Sequence, residues 1–480
     1  MSKAEYSIGF QSQENEIVHN ELPVQGAWPE WLSGSLLRTA PSKFEVGNSR
    51  YRHWFDGLAM LHKFTFSRTN VSYACKLLES RAYKKAVEKN RIIYGEFGTD
   101  PCLDLFGKVF SFFSGPDPTD NGSININLCG ESLVAVTETP KPVAIGMDDL
   151  RTIGPVGIKG NVRGHLTVVH PHYDREGTLF SFITKFGPAS KYKVYSQQLN
   201  SRERRLVGTV TTDKPAYMHS FGMTERYIIL TEFPLVTNVL KLRFGGRSFI
   251  ENYKWQKERG TRIHLIDKKN GAIKSFDTTS FFAFHHVNAF EQEDDVVFDI
   301  VAYKDATVID ELYLDHLRSG ERLSATTELW RYRLNTAEKT VSRTVITRVP
   351  IELPRINYWQ VSGRVYQYVY GVGTTVRGNF IDNISKVNVS NGHVVIWREA
   401  HCYPGEPVFV ARPNAKNEDD GILLSIVLNT NTKTSFLLIL DAKNLRELAR
   451  VLVPQHITFG FHGQYIDSKE PEEIIKTIHS

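Results

Sequence analysis

Short apolar or alternating runs that end in Asn, Asp or Gly recur along the chain, while the 3.6-residue periodicity of helices is scarce. Ile263–Asp267 runs into Lys-Lys-Asn-Gly, Leu329–Leu334 into Asn-Thr-Ala-Glu-Lys, Ser385–Val389 into Ser-Asn-Gly, and Phe436–Leu440 into Asp-Ala-Lys-Asn. Side chains alternate across a strand, and Asn, Asp and Gly accept the backbone of a tight reversal. Each pattern therefore predicts a strand entering a hairpin. Val365–Tyr370 alternates strictly and predicts another strand. Three turn positions, Asn335, Asn388 and Asp441, are 53 residues apart at each step. Recurrence on this scale predicts blades of four-stranded sheet, and seven blades would take about 69 residues each. No Pro- or Ser-rich linker divides the chain, which reads as one domain over residues 1–480.

One segment departs from the β pattern. Between Cys102 and Phe113, Phe106, Val109, Phe110 and Phe113 fall at i, i+3, i+4 and i+7, with Asp104, Lys108 and Ser111 between them. This predicts a short amphipathic helix, packed on the core or laid on a membrane surface. Lys84, Lys85, Lys89 and Arg91 precede it and suit anionic lipid. Residues 103–113 and the apolar stretch 233–242 are the two candidate membrane contacts.

Hydrophobic residues at 41% and charged residues at 23% exclude a disordered or fibrous chain. The net charge of +5 is spread along the sequence, not gathered into the basic stripe of a nucleic-acid binder. The 28 Phe and 20 Tyr suit a large apolar cavity or an aromatic sheet interior. Gly421–Leu428 and Phe436–Leu440 are strand-sized, well short of a membrane span. The opening MSKAEYSIGF has no apolar core of a signal peptide, and Cys75, Cys102, Cys129 and Cys402 form no CxxC pair. Together these features predict a cytoplasmic protein with reduced thiols, peripherally associated with membranes.

Four histidines lie in apolar, strand-like surroundings where an unpartnered imidazole is costly: His170, His219, His285 and His462. Their separations of 49, 66 and 177 residues are roughly one, one and two to three blades, so inner strands could bring them to a common axis. Singly, each also reads as a hydrogen-bonded core residue. His172 competes with His170, and His286 with His285. On these residues alone zinc, iron or no metal are equally open. Glu138, Glu352 and Glu406 occupy similar apolar settings, where a carboxylate requires a donor. The second N–H of a metal-bound imidazole is one such donor. A place at a strand end is the alternative for each.

At these residues the sequence resembles the carotenoid cleavage oxygenase family. The resemblance runs almost end to end, through Leu32–Pro41, Trp54–Phe64, TETP around Glu138, VHPH around His170, HSFGMTE around His219 and FHHVNAFE around His285. It continues through Glu406–Gly421, Ser435–Ala449 and Gly460–Gly463. Glu96–Phe113 is similar to the animal branch, which includes carotene oxygenases and the retinoid isomerase. The resemblance implies an all-β, seven-bladed propeller whose short helical insertions cap the iron-centre face. One Fe(II) per chain would be held by His170, His219, His285 and His462, with Glu138, Glu352 and Glu406 behind His219, His285 and His462. It further implies Phe97, Ile124, Thr137, Tyr217 and Phe461 along the substrate cleft, Ile124 near an unused metal position. The implied activity is cleavage of a carotenoid or apocarotenoid alkene by O₂ to two carbonyl products. Retinyl-ester isomerohydrolysis and stilbene-type cleavage are alternative reactions, and a binding scaffold without iron is the non-enzymatic one. Arg38-Thr39-Ala40-Pro41 lacks the family's usual glycine, which puts the local turn there in question.

Overall fold

A computed structural model describes residues 4–100, 118–244, 247–376 and 378–468. Seven sheets, antiparallel except where Lys159–Gly160 pairs parallel with Glu203–Thr212, form a propeller. Blade II contains Asn125–Cys129, Ser132–Val136, Val143–Ile145 and Thr152–Pro155. In blade III, Leu166–Thr167 and His172–Tyr173 both pair with Thr178–Lys185. Blades IV, V and VI begin on Gly222–Met223, His286–Gln292 and Glu352–Arg355. Blade VII starts from Cys402–Pro404 and Val408–Ala411, both paired with Gly421–Asn429.

Blade I joins distant parts of the chain. Gly463–Asp467 pairs with Gly34–Lys43, followed outward by Leu58–Phe66, Val71–Leu77 and Val18–His19. The early strand Val24–Gly26 in turn edges blade VII against Glu447–Leu452. The ring is thus closed twice, by strands from distant parts of the chain in both blade I and blade VII.

The repeat seen in the sequence is one turn used again and again. Asp267, Asn335, Asn388 and Asp441 each end the third strand of a blade. Each Oδ1 accepts the amide two residues on, from Lys269, Ala337, Ser390 and Lys443 at 2.9, 3.1, 3.0 and 2.8 Å. The residue four positions on has positive φ: Gly271, Lys339, Gly392 and Leu445. Glycine is required at two of these for space as well. A Cβ on Gly271 would meet Val207 O at 2.2 Å, and one on Gly392 would meet Ile346 O at 2.4 Å.

The core lies between blade faces. Leu36, Phe64 and Tyr73 of blade I pack with Leu424, Leu437 and Val451 of blade VII. Tyr370 and Val372 pack with Leu423 and Leu438 across blades VI and VII. Two local expectations are corrected. The strand in the alternating stretch is Tyr368–Gly373. Val365 before it is 67% exposed, because blade VI's second strand begins only after the turn that follows Tyr358–Val361. Arg38–Pro41 is not a turn but the interior of strand Gly34–Lys43. The Ala40 methyl stands where Gly460 has no side chain; a Cβ there would be 2.8 Å away.

The segment 103–113 lies outside the described residues. In the other candidate membrane stretch Phe233, Leu235 and Val236 are buried, so 233–237 is core. Leu235–Thr237 pairs with Tyr253–Trp255. Leu240, in helix Val239–Phe244, is 66% exposed.

Candidate metal centre

All seven blades reach the axis with one polar side chain each. His219 and His285 directly precede or approach the first strands of blades IV and V, and His462 precedes the inner strand of blade I. His170 sits between the two inner segments of blade III. Glu352 opens the inner strand of blade VI, Glu406 sits between the inner segments of blade VII, and Glu138 follows Ser132–Val136 of blade II. The innermost position of a blade is the part of a propeller that meets every other blade, so residues far apart in sequence become neighbours.

One nitrogen from each of His170, His219, His285 and His462 lies within 4.8 Å of the others. His170 Nε2 is 3.2 Å from His219 Nε2, and His285 Nε2 is 3.4 Å from His462 Nε2. Three Nδ1 atoms face carboxylates at 2.7 Å: His219 with Glu138, His285 with Glu352 and His462 with Glu406. A carboxylate accepts, so each Nδ1 carries the proton and each Nε2 presents a lone pair. His285 and His462 therefore direct two lone pairs at each other across 3.4 Å, and neither can donate. A cation between them is what this donor set fits. Four neutral imidazoles suit Fe(II), Zn(II) or Co(II), and the carboxylates offset the charge without entering the site.

Burial holds the His170 and His462 imidazoles well below their usual range, and the neighbouring imidazoles push in the same direction. The ring is thereby kept in the neutral form that ligates. The competing histidines are satisfied elsewhere. His172 has Phe221 O at 3.0 Å from Nε2 and the Tyr358 hydroxyl at 3.1 Å from Nδ1. His286 has the Ser220 and Thr231 hydroxyls at 2.9 and 2.8 Å.

The carboxylates are themselves held, each differently. The Tyr217 hydroxyl donates to Glu138, 3.1 Å from both oxygens. Glu406 Oε2 accepts from Gly463 N at 2.9 Å, and Arg355 stands 3.8 Å from Oε1. Glu352 Oε2 accepts from Leu353 N at 2.9 Å, and Oε1 makes no hydrogen bond of ordinary length among the described residues. Leu353 adopts φ 49°, a left-handed conformation uncommon for an aliphatic residue.

A cavity of about 150 Å³ opens beside the imidazoles. Its rings are Trp54, Phe55, Phe284, Tyr303, Phe380 and Phe461, with Ile124 among the aliphatic lining. Of the five residues the resemblance assigns to a substrate cleft, Ile124 and Phe461 line this cavity. Phe97, Thr137 and Tyr217 do not border this cavity. The Tyr217 hydroxyl is occupied by Glu138, and the Phe97 ring lies 5.4 Å from Tyr217 and 5.0 Å from Phe55, one layer further out. Trp54, Phe55, Phe380 and Tyr303 were not singled out from sequence, since they come from three separate segments. Phe284 was signalled by its place beside His285. Helix Thr307–Glu311 places Val308 and Glu311 on the cavity wall.

Seven blades around four imidazoles and three carboxylates define a propeller with a metal-type centre on its axis, and comparison with known proteins gives its family. Residues 10–467 match the family model described as retinal pigment epithelial membrane protein; the chain belongs to this family, the carotenoid cleavage oxygenases. It is 35% identical to the mitochondrial carotenoid-cleaving dioxygenase of Macaca fascicularis, over 92% of this chain and 91% of that one. It is likewise 35% identical to the human beta,beta-carotene 15,15'-dioxygenase, with 92% and 91% covered. Among solved structures, cobalt-substituted Synechocystis apocarotenoid oxygenase superposes with a TM-score of 0.87 at 26% identity, covering 97% of this chain and 98% of that one.

Proposed function

We propose that this protein cleaves one double bond of a carotenoid or apocarotenoid with O₂, each carbon of the alkene leaving as a carbonyl. The reaction is placed at a single Fe(II) held by His170, His219, His285 and His462. The observation that carries the reading is the pair of facing lone pairs on His285 and His462, beside a cavity walled by six aromatic rings. The carotenoid-cleaving dioxygenases at 35% identity support it.

The bound metal would supply activation of O₂. The chain's own residues then have three tasks. Glu138, Glu352 and Glu406 fix the tautomer and raise the basicity of three imidazoles. The rings of Trp54, Phe55, Phe284, Phe380 and Phe461 hold a rigid polyene and exclude water, so that one alkene is presented to the metal. Aromatic faces also stabilise positive charge developing on the polyene. The Glu311 carboxylate accepts from Ser324 and Ala325, and it braces the segment that carries Leu323 and Ala325 into the cavity.

A substrate of this class resides in membranes, and the protein is read as a peripheral, cytoplasmic-face enzyme. No helix among the described residues is long and apolar enough to cross a membrane. Exposed Leu240 is the contact the described part of 233–242 offers. Leu240→Asp is expected to weaken cosedimentation with liposomes while iron content holds.

The deciding experiment incubates the Fe(II) protein with carotenes and apocarotenals of graded length under O₂, with products identified by mass. Paired aldehydes and consumption of O₂ are expected. Retinol and free fatty acid from a retinyl ester would overturn the reading in favour of isomerohydrolysis. Cleavage confined to stilbenes would replace the substrate class, and absence of stoichiometric iron would leave a binding scaffold.

A further inference from the structure

A second, smaller cavity of about 20 Å³ lies between blades I and VII, with Arg38, His62 and Thr458 among its lining residues. Its size admits a single monatomic ion or one water. Three polar side chains border it, and all are buried: Arg38 is 3% exposed, His62 1% and Thr458 3%. His62 Nε2 and Thr458 Oγ1 have no hydrogen-bond partner in the protein among the described residues. His62 Nδ1 is 2.8 Å from the Tyr73 hydroxyl; with that hydroxyl donating, the ring proton sits on Nε2 as a donor. Arg38 donates to two carbonyl oxygens, Glu406 O at 3.3 Å and Phe461 O at 3.1 Å. The nearest carboxylate, Glu406, is committed to His462 Nδ1 and Gly463 N. No acidic side chain lines the cavity.

We propose that this cavity is a binding site for one monovalent anion of halide size, held by the Arg38 guanidinium, the Thr458 hydroxyl and His62 Nε2–H. A buried guanidinium whose hydrogen bonds run to neutral carbonyls is incompletely compensated, and a small anion supplies the missing charge. Two otherwise orphaned donors gain a partner in the same step. Because Arg38 holds the carbonyls of Glu406 and Phe461, the anion would brace the blade I–VII seam behind the metal centre without contacting the metal or the substrate.

The test uses the full chain. Crystals soaked in sodium bromide are expected to give an anomalous peak in this cavity. At matched ionic strength, chloride or bromide in place of gluconate is expected to raise Tm by roughly 3 °C, and sulfate, too large to enter, to give no such rise. Thr458→Val, nearly isosteric, is expected to remove most of the halide response. Density without anomalous signal, together with equal Tm in chloride and gluconate, would overturn the proposal and leave one ordered water in the cavity. A bromide peak elsewhere, or a halide response unchanged in Thr458→Val, would equally overturn it. The anomalous measurement on the native protein decides the matter even if the variant does not fold.

Discussion

The Tyr217 hydroxyl lies 3.1 Å from both carboxylate oxygens of Glu138. Glu138 Oε1 in turn accepts the His219 Nδ1 proton at 2.7 Å. Tyr217 thus sets the orientation of a carboxylate that sets the orientation of an imidazole. Tyr217→Phe removes one hydrogen bond and leaves the ring packing. Metal content is expected to hold and turnover to fall by up to about 10-fold, less than for loss of the carboxylate itself. Metal analysis beside steady-state kinetics checks it; unchanged turnover would remove Tyr217 from the chain of support.

His219→Ala or His285→Ala is expected to deplete iron, because each leaves Glu138 or Glu352 without its donor as well as opening the shell. His172→Ala and His286→Ala are expected to keep iron and to lose stability, by about 1–3 kcal/mol for the buried partners each leaves unpaired. Iron quantitation on the four folded variants separates the two pairs. Iron lost with His172 and kept without His170 would reverse the assignment.

The three carboxylates are not equivalent. Glu352 Oε1 makes no hydrogen bond of ordinary length among the described residues, and the Tyr303 hydroxyl near this carboxylate can accept, so the amide nitrogen of Glu352→Gln has a place to go. Both Glu406 oxygens face donors, His462 Nδ1 and Gly463 N. Glu406→Gln must set an N–H against an N–H. Both substitutions are expected to lower turnover about 10–100-fold. Glu406→Gln alone is expected to lose iron and melt markedly earlier. Equal Tm for the two variants would contradict the difference read from their partners.

Acid stability follows from His53, which caps Trp54–Asp56. Nδ1 accepts from Phe55 N at 3.2 Å, and Nε2 donates to Ile309 O at 3.1 Å. Protonation of Nδ1 would break the first bond. Burial holds this imidazole down at about 3. An unfolded imidazole titrates near 6.5, so below that pH the unfolded chain takes up a proton the fold refuses. The contribution is complete above about pH 6.5 and is lost as pH falls toward 3, roughly 5 kcal/mol in all from this group. His62, also held at about 3, adds to the slope. Urea midpoints between pH 8 and 4.5 should fall for the native protein and fall less steeply for His53→Gln.

Much of this architecture was legible because a propeller repeats local chemistry. Asn335, Asn388 and Asp441 mark the same turn in consecutive blades, so equal spacing survived in the sequence. Asp267 makes that turn too, but two short helices, Thr307–Glu311 and Leu314–Ser319, lengthen the step to Asn335 and hide the period. The choice of His170 over His172 and of His285 over His286 came from the family motifs. The structure adds the reason: the rejected rings bond hydroxyls and a carbonyl. The cavity was less legible. Trp54, Tyr303 and Phe380 face one space from blades I, V and VI, and nothing local distinguishes them from the many aromatic residues packed between blades. The apolar run at 233–242 misled for a related reason, since composition alone does not separate Phe233 and Val236, which are core, from Leu240, which is not.

The strand Gly463–Asp467 is the last of the described elements in the chain, yet it is the innermost of blade I and His462 stands at its start. During synthesis, His170, His219 and His285 emerge long before their fourth companion. A nascent chain paused before residue 462 has every blade except the first essentially drawn, but three imidazoles and an unfilled seat beside Gly34–Lys43. A metal that needs all four imidazoles would therefore be acquired only as the ring closes. A stalled or truncated chain should be distinguishable from a finished one by whether it retains its ion through a desalting column.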